Sequence, residues 1–263
     1  MSPLSPRQQT ILNRVVDTHI QTATPVASGQ ITSLFRSLYR DFYSSATVRH
    51  EMGVLEGQGY LTHPHTSAGR VPTDRGYRFY VDHGVSYEPA SADTGTSFAV
   101  HMPDTAEEFE AFTEQVSDAV SGLSEEACVI VVPYRMQKGG IGYKLILQGS
   151  ARMVRKPEFQ DPEKIERLLS VFEKKKELAG WLSERTPRNG LKVSIGRENE
   201  PAALHDCTVV SAQFYANGSL TGTLALIGPR RMHYARALPL VHQISIWLGN
   251  VFAERQSSGF YES

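Results

Sequence analysis

The chain has 263 residues, 40% of them apolar and 21% charged, which is enough to bury a sizeable core in one large or two ordinary domains and excludes disorder throughout. Its net charge of −1 excludes a uniformly basic coat for nucleic acid, and apolar runs end at about ten residues, short of the roughly 20 a membrane-spanning helix needs. Met1–Gln9 lacks an apolar signal core, and Cys128 and Cys207 both sit in apolar stretches, which fits two buried thiols in a reducing cytoplasm better than a disulfide framework.

Charge is distributed unevenly. Residues 1–90 hold eight Arg, no Lys, seven acids and five His, and Arg36–Arg78 carries six Arg against Asp41, Glu51, Glu56 and Asp74. Arg without Lys suits fixed forks for phosphates or base edges better than a diffuse cationic cloud.

In chain order, Ser5 caps a helix with Ile11, Leu12, Val15, Val16, His19 and Ile20 on one face. After Pro25, Ser28 is an N-cap for a short helix with Ile31, Leu34 and Phe35. A third helix starts at Ser44 or Ser45 and runs to about Gln58, where Gly59 stops it. Tyr60–Thr62 and Gly69–Val71 form two short extended pieces around a polar tip, and Thr73 or Asp74 caps a last helix with Tyr77, Tyr80 and Val81. Three helices and a hairpin outline a winged helix-turn-helix.

Projected at 100° per residue, the third helix turns Val48, Met52 and Leu55 inward. Ala46, Arg49, His50, Gly53 and Gly57 lie opposite, with Thr47 and Val54 at the edge. Small residues let a helix approach a surface, and Arg49, His50 and Thr47 supply donors that reach base edges in a major groove. Gly53 costs about 0.5–1 kcal/mol relative to Ala, which points to a reason other than helix stability. The pattern also fits a solvated face. At the hairpin, Thr66, Ser67 and Arg70 suit a phosphate backbone, with a plain surface turn as the alternative. His63 and His65 form an H-x-H pair without third and fourth ligands at a useful spacing, so no metal is expected.

A polar stretch after His83 reads as a linker. The organisation expected is 1–85 DNA-binding, 86–103 linker and 104–263 a second domain. There, Asp104 to about Leu123 is an amphipathic helix, and strands fall at Ala127–Pro133, Tyr143–Leu147 and Ala151–Val154, with Gly139-Gly140 as a loop. One helix runs from Asp161 to about Trp181. Further strands are Leu191–Ile195, Thr208–Tyr215 and Leu220–Ile227, the last two joined at Asn217-Gly218, and a helix over Ala235–Ala253 closes the chain. This pattern gives an α+β class with a sandwich-like second domain. The closing helix is apolar around so much of its circumference that it wants two neighbours: its own sheet and either the same domain or a second copy. Gly228-Pro229-Arg230-Arg231 either holds an anion at a helix N-terminus or is a structural turn. The chain contains no G-x-S-x-G, H-E-x-x-H or Walker loop, and an enzyme is not expected.

Ser44 to Leu61, Pro64-His65-Thr66-Ser67-Ala68-Gly69-Arg70-Val71-Pro72-Thr73 and Gly76-Tyr77-Arg78 together resemble the heat-inducible transcription repressor family, HrcA. Val193–Asn199, Asp206-Cys207 and Gly228–Tyr234 also look like family blocks. The resemblance implies a GAF-like second domain and a repressor that binds, as a homodimer, an inverted-repeat operator upstream of chaperone operons, is released on heat shock, and has a GroEL-type chaperonin as partner. Its DNA contacts would be Ser44, Ser45, Thr47, Arg49, His50, His65, Thr66, Ser67 and Arg70, without cofactor, metal or membrane. A metabolite-responsive winged-helix/GAF regulator is the alternative. The chain departs from the family at His50, where Asn is usual, at Gly53, where Ala is usual, and at Arg230, where Thr is usual. It is also several tens of residues short, with 157–190 as the remnant of an inserted dimerising segment.

Overall fold

The computed structural model describes residues 3–38, 43–64, 69–85, 106–136, 139–217 and 220–257. The chain divides into two units, Met1–Ser86 with Arg230–Met232, and Tyr87–Pro229 with His233–Ser263.

The first unit opens with α1 (Pro6–Thr22). Ser5 Oγ accepts from the Gln8 N–H at 3.3 Å while Gln8 Oε1 accepts from the Ser5 N–H at 3.0 Å, so two otherwise orphaned donors are satisfied reciprocally. Next come α2 (Ser28–Leu38) and α3 (Ser45–Gly57). The expectation for Ser28 is corrected: the helix starts at Ser28 itself, and Gln30 Oε1 accepts from the Ala27 N–H at 2.7 Å. After α3, β1 (Leu61–Thr62) pairs antiparallel with β2 (Val71–Pro72), Leu61 opposite Pro72. Val26 and Arg70 extend this ribbon through two backbone bonds of 2.9 Å. α4 (Asp74–His83) is capped by Thr73, whose hydroxyl accepts from the Gly76 N–H and donates to the Gly59 carbonyl. Ile11, Leu12, Phe35, Val48, Met52 and Leu55 are buried in the unit's core, and full burial of each such side chain stabilises it by roughly 1.5–3 kcal/mol.

The second unit begins with α5 (Ala106–Ser124), β3 (Ala127–Arg135) and β4 (Ile141–Gln148). There follow α6 (Ser150–Val154), α7 (Pro162–Glu173), α8 (Lys175–Arg185), β5 (Leu191–Ile195), β6 (Cys207–Asn217), β7 (Leu220–Pro229) and α9 (Tyr234–Ser257). The strands form an antiparallel five-stranded sheet in the order β4-β3-β7-β6-β5, and the mixture of helices and sheet is α+β. Side chains alternate across the sheet. Val129, Val131, Val209 and Ile227 pack with Met153, Phe159, Leu168, Phe172 and Leu182 of the α6–α8 layer. On the alternate residues, Thr208 bonds the Tyr234 hydroxyl of α9 at 3.0 Å, and Ser117 of α5 donates to the Cys128 carbonyl.

Two expectations fail here. Ala151–Val154 is helical, not a strand: Gly149, at φ 79°, turns the chain into α6, and in that helix only Met153 is buried. The helix expected over Asp161–Trp181 breaks at Lys174, at ψ 56°. Phe172 and Leu178 are both buried but six residues apart, so in one straight helix they would point about 120° apart. The break turns both onto the sheet. Part of the circumference of α9 is used within the unit, since Trp247 lies 5.7 Å from Phe112 and Phe252 lies 4.9 Å from Phe109, both on α5, while Ile246 stays exposed.

Candidate nucleic-acid interface

Position 44, not 45, is the N-cap of α3. Ser44 Oγ accepts from the Thr47 N–H at 3.1 Å and lies 2.9 Å from the Thr47 hydroxyl, leaving Ser45 as the first helical residue. Val48, Met52 and Leu55 have no exposed surface, so the orientation of the helix is fixed. Ala46, Arg49, His50 and Gly57 are exposed, and Thr47, Gly53 and Val54 are half-buried at the margin. Neither Arg49 nor His50 has an ion pair or side-chain hydrogen bond among the described residues, so their donors are available to a ligand. Space at Gly53 is ordinary: an added Cβ would meet only Arg70 Nη2, at 3.8 Å.

Three interactions that sequence reasoning missed hold α3 in place. Glu51 accepts from Gln8 Nε2 at 3.1 Å and lies 3.6 Å from Arg7, whose guanidinium is 5.3 Å from the centre of the Tyr43 ring. Arg75 donates to the Gln58 carbonyl at the end of α3, at 2.8 Å, while stacking on Tyr60. This joins a cation to a helix C-terminus, where the macrodipole favours it. Glu56 divides its two oxygens between the hairpin strands: Oε1 meets His63 Nδ1 and Oε2 accepts from Arg70 Nε at 3.0 Å. Burial pushes the Glu56 carboxyl upward, but the hydrogen bonds from His63 and Arg70, with their charge, outweigh it and hold the group below the usual carboxylate range. The Arg70 side chain is accordingly only 16% exposed, folded against α3 instead of projecting from the hairpin. His65, Thr66 and Ser67 lie outside the described residues.

Gly69 has a steric reason to be glycine, since a Cβ there would lie 2.4 Å from the Val26 carbonyl. Arg230, grouped with the first unit, lies 3.0 Å from Asp74, and Arg231 donates to the Ile20 carbonyl at 3.2 Å. No cluster of three or more His, Cys, Asp or Glu suited to a metal occurs among the described residues. Burial pushes the Cys128 thiol up to about 12, despite a hydrogen bond with Ser117, which disfavours the reactive thiolate.

The family model for the HrcA protein C-terminal domain matches residues 100–238. The chain belongs to the HrcA family. Relatives named heat-inducible transcription repressor HrcA share 28% identity in Shouchella clausii, 25% in Oceanobacillus iheyensis and 26% in Brevibacillus brevis. These matches cover 92%, 92% and 96% of this chain and 96%, 95% and 99% of the relatives. The alignments span 335, 334 and 346 positions against 263 residues here, so these HrcA proteins carry segments that this one lacks. A crystal structure of a hypothetical protein shares the fold at a TM-score of 0.74 and 20% identity, covering 96% of this chain and 99% of that one.

Proposed function

We propose that this HrcA chain is a heat-inducible transcription repressor in which the first unit is a winged helix-turn-helix and the second a GAF-like domain. As a homodimer it binds an inverted-repeat operator upstream of chaperone operons, and it is released on heat shock. Ser44, Ser45 and Thr47 approach the DNA at the start of α3, Arg49 and His50 meet base edges in the major groove, and Arg70 with His65, Thr66 and Ser67 supports the hairpin side. One observation carries this reading: a helix anchored by three fully buried side chains presents Ala46, Arg49 and His50 to solvent in a member of a repressor family. His50 has one donor and one acceptor when neutral and lacks the two-pronged amide geometry that reads adenine, so the operator differs from the family's at that base pair.

Heat acts by depleting folded, paired protein, for which a loss of ~1–2 kcal/mol shifts the population several-fold. A GroEL-type chaperonin restores the active state. The test is a mobility-shift assay with DNA upstream of the organism's chaperonin operon, at growth and heat-shock temperatures, with and without purified chaperonin. Preferential binding that falls on heating and rises with chaperonin is expected. Equal binding to operator and scrambled DNA refutes the reading, and binding governed by a metabolite instead of heat and chaperonin replaces its input.

A further inference from the structure

Glu56 poses an electrostatic question for a helix that meets DNA, because an anion beside phosphates weakens binding unless it does something else. It lies one turn beyond Gly53, and its Oε2 engages only the Nε edge of Arg70. The other edge turns over the sparse face of α3, where Nη2 lies 3.8 Å from the place a Gly53 Cβ would occupy. Arginine carries four N–H bonds on its two Nη atoms, and in Arg70 these have no hydrogen-bond or ion-pair partner among the described residues. The Arg70 backbone is fixed as well, by its two bonds of 2.9 Å to Val26. A guanidinium held at both ends, with its outer fork over Gly53 on the helix face that also carries Arg49 and His50, is pre-organised to receive a phosphate or base edge with little further loss of side-chain freedom.

We infer that Glu56 is a positioning residue of the DNA interface: it holds Arg70 against α3 so that the free Nη edge extends the surface which that helix presents to the duplex. The inference rests on the DNA-binding reading above. It reassigns Arg70 from the hairpin tip to the helix face and gives the room at Gly53 a use, since a side chain much larger than alanine there would push the guanidinium away.

The experiment measures dissociation constants of the full chain for operator and scrambled duplexes over a salt series, by fluorescence anisotropy. Glu56→Ala is expected to weaken operator binding about tenfold, the scale of one lost contact, although it removes a negative charge. Arg70→Ala should weaken it similarly and lower the salt slope by about 1. The double variant should bind no more weakly than Arg70→Ala alone, and Glu56→Gln, which keeps an acceptor, should recover part of the loss. Gly53→Leu, which leaves Glu56 in place, should reproduce the Arg70→Ala loss and guards against misfolding as the cause. Tighter binding of both duplexes by Glu56→Ala, additive losses in the double variant, or unchanged operator binding by Gly53→Leu would each overturn the inference while leaving the repressor reading intact. A wild-type chain without operator preference overturns both.

Discussion

Substituting Gly69 by alanine tests whether the hairpin is built onto the first unit as described. The new Cβ would lie 2.4 Å from both the carbonyl carbon and oxygen of Val26 and 2.8 Å from the Ala27 nitrogen. All three are backbone atoms that cannot rotate aside. Relief requires the Arg70 and Val26 strands to part, breaking two backbone hydrogen bonds of 2.9 Å. At about 0.5–1.5 kcal/mol each, with residual strain added, the loss comes to roughly 2–4 kcal/mol, a large share of the ~5–15 kcal/mol that holds a domain together. Gly53→Ala is the internal control. Its Cβ meets nothing nearer than 3.8 Å in a helix interior, so it should stabilise by about 0.5–1 kcal/mol. Urea unfolding of the full chain followed by tyrosine fluorescence, with hydrogen exchange read at Val26 and Arg70, gives both values. Equal midpoints for the two variants, or continued protection of those amides in Gly69→Ala, would refute the packing described.

Other expectations follow from the same contacts. Arg49→Ala should lose about 1–3 kcal/mol of operator binding and relax preference at one base pair, measured by competition with operators changed one position at a time. Because Glu56 is held below its ordinary value of 4.5 when folded, its stabilisation is complete above the unfolded-state value and fades as pH falls through the folded one. Urea midpoints of wild type and Glu56→Gln should therefore differ at neutral pH, with wild type higher, and converge in acid; a constant offset would contradict the pairing. Met153→Ala, at a residue with no exposed surface beneath the sheet, should cost about 2–5 kcal/mol in the second unit. Native protein should leave Cys128 and Cys207 unmodified by iodoacetamide at pH 8, both reacting after denaturation, as their burial requires.

Local signals account for most of what the sequence reveals. Ser5 with Gln8, Ser44 before an apolar face, and Asn217-Gly218 between two apolar runs each act within a few residues, and the helices and strands form where those signals stand. Misreadings occur where local patterns are ambiguous. Ser150–Val154 is too short to distinguish a period of two from 3.6, and the turn of Gly149, not propensity, decides it. Lys174–Lys176 reads as a solvated face in either one helix or two, and only the need to bury both Phe172 and Leu178 breaks the chain there. For the candidate interface, the inward face of α3 is legible because Val48, Met52 and Leu55 recur at helical spacing. The hold of Glu56 on His63 and Arg70 is not, since those partners lie seven and 14 residues away across a hairpin, where no periodicity reaches.

If the exposed side of α3 meets duplex DNA, a cysteine introduced there as Ala46→Cys lies at the contact. Both native cysteines are buried, so a photo-cross-linker attached to the full chain modifies only the introduced thiol. The expected result is cross-links to bases within each half of an inverted repeat, abolished by competing operator. Cross-links absent from a complex that still forms on operator would contradict it.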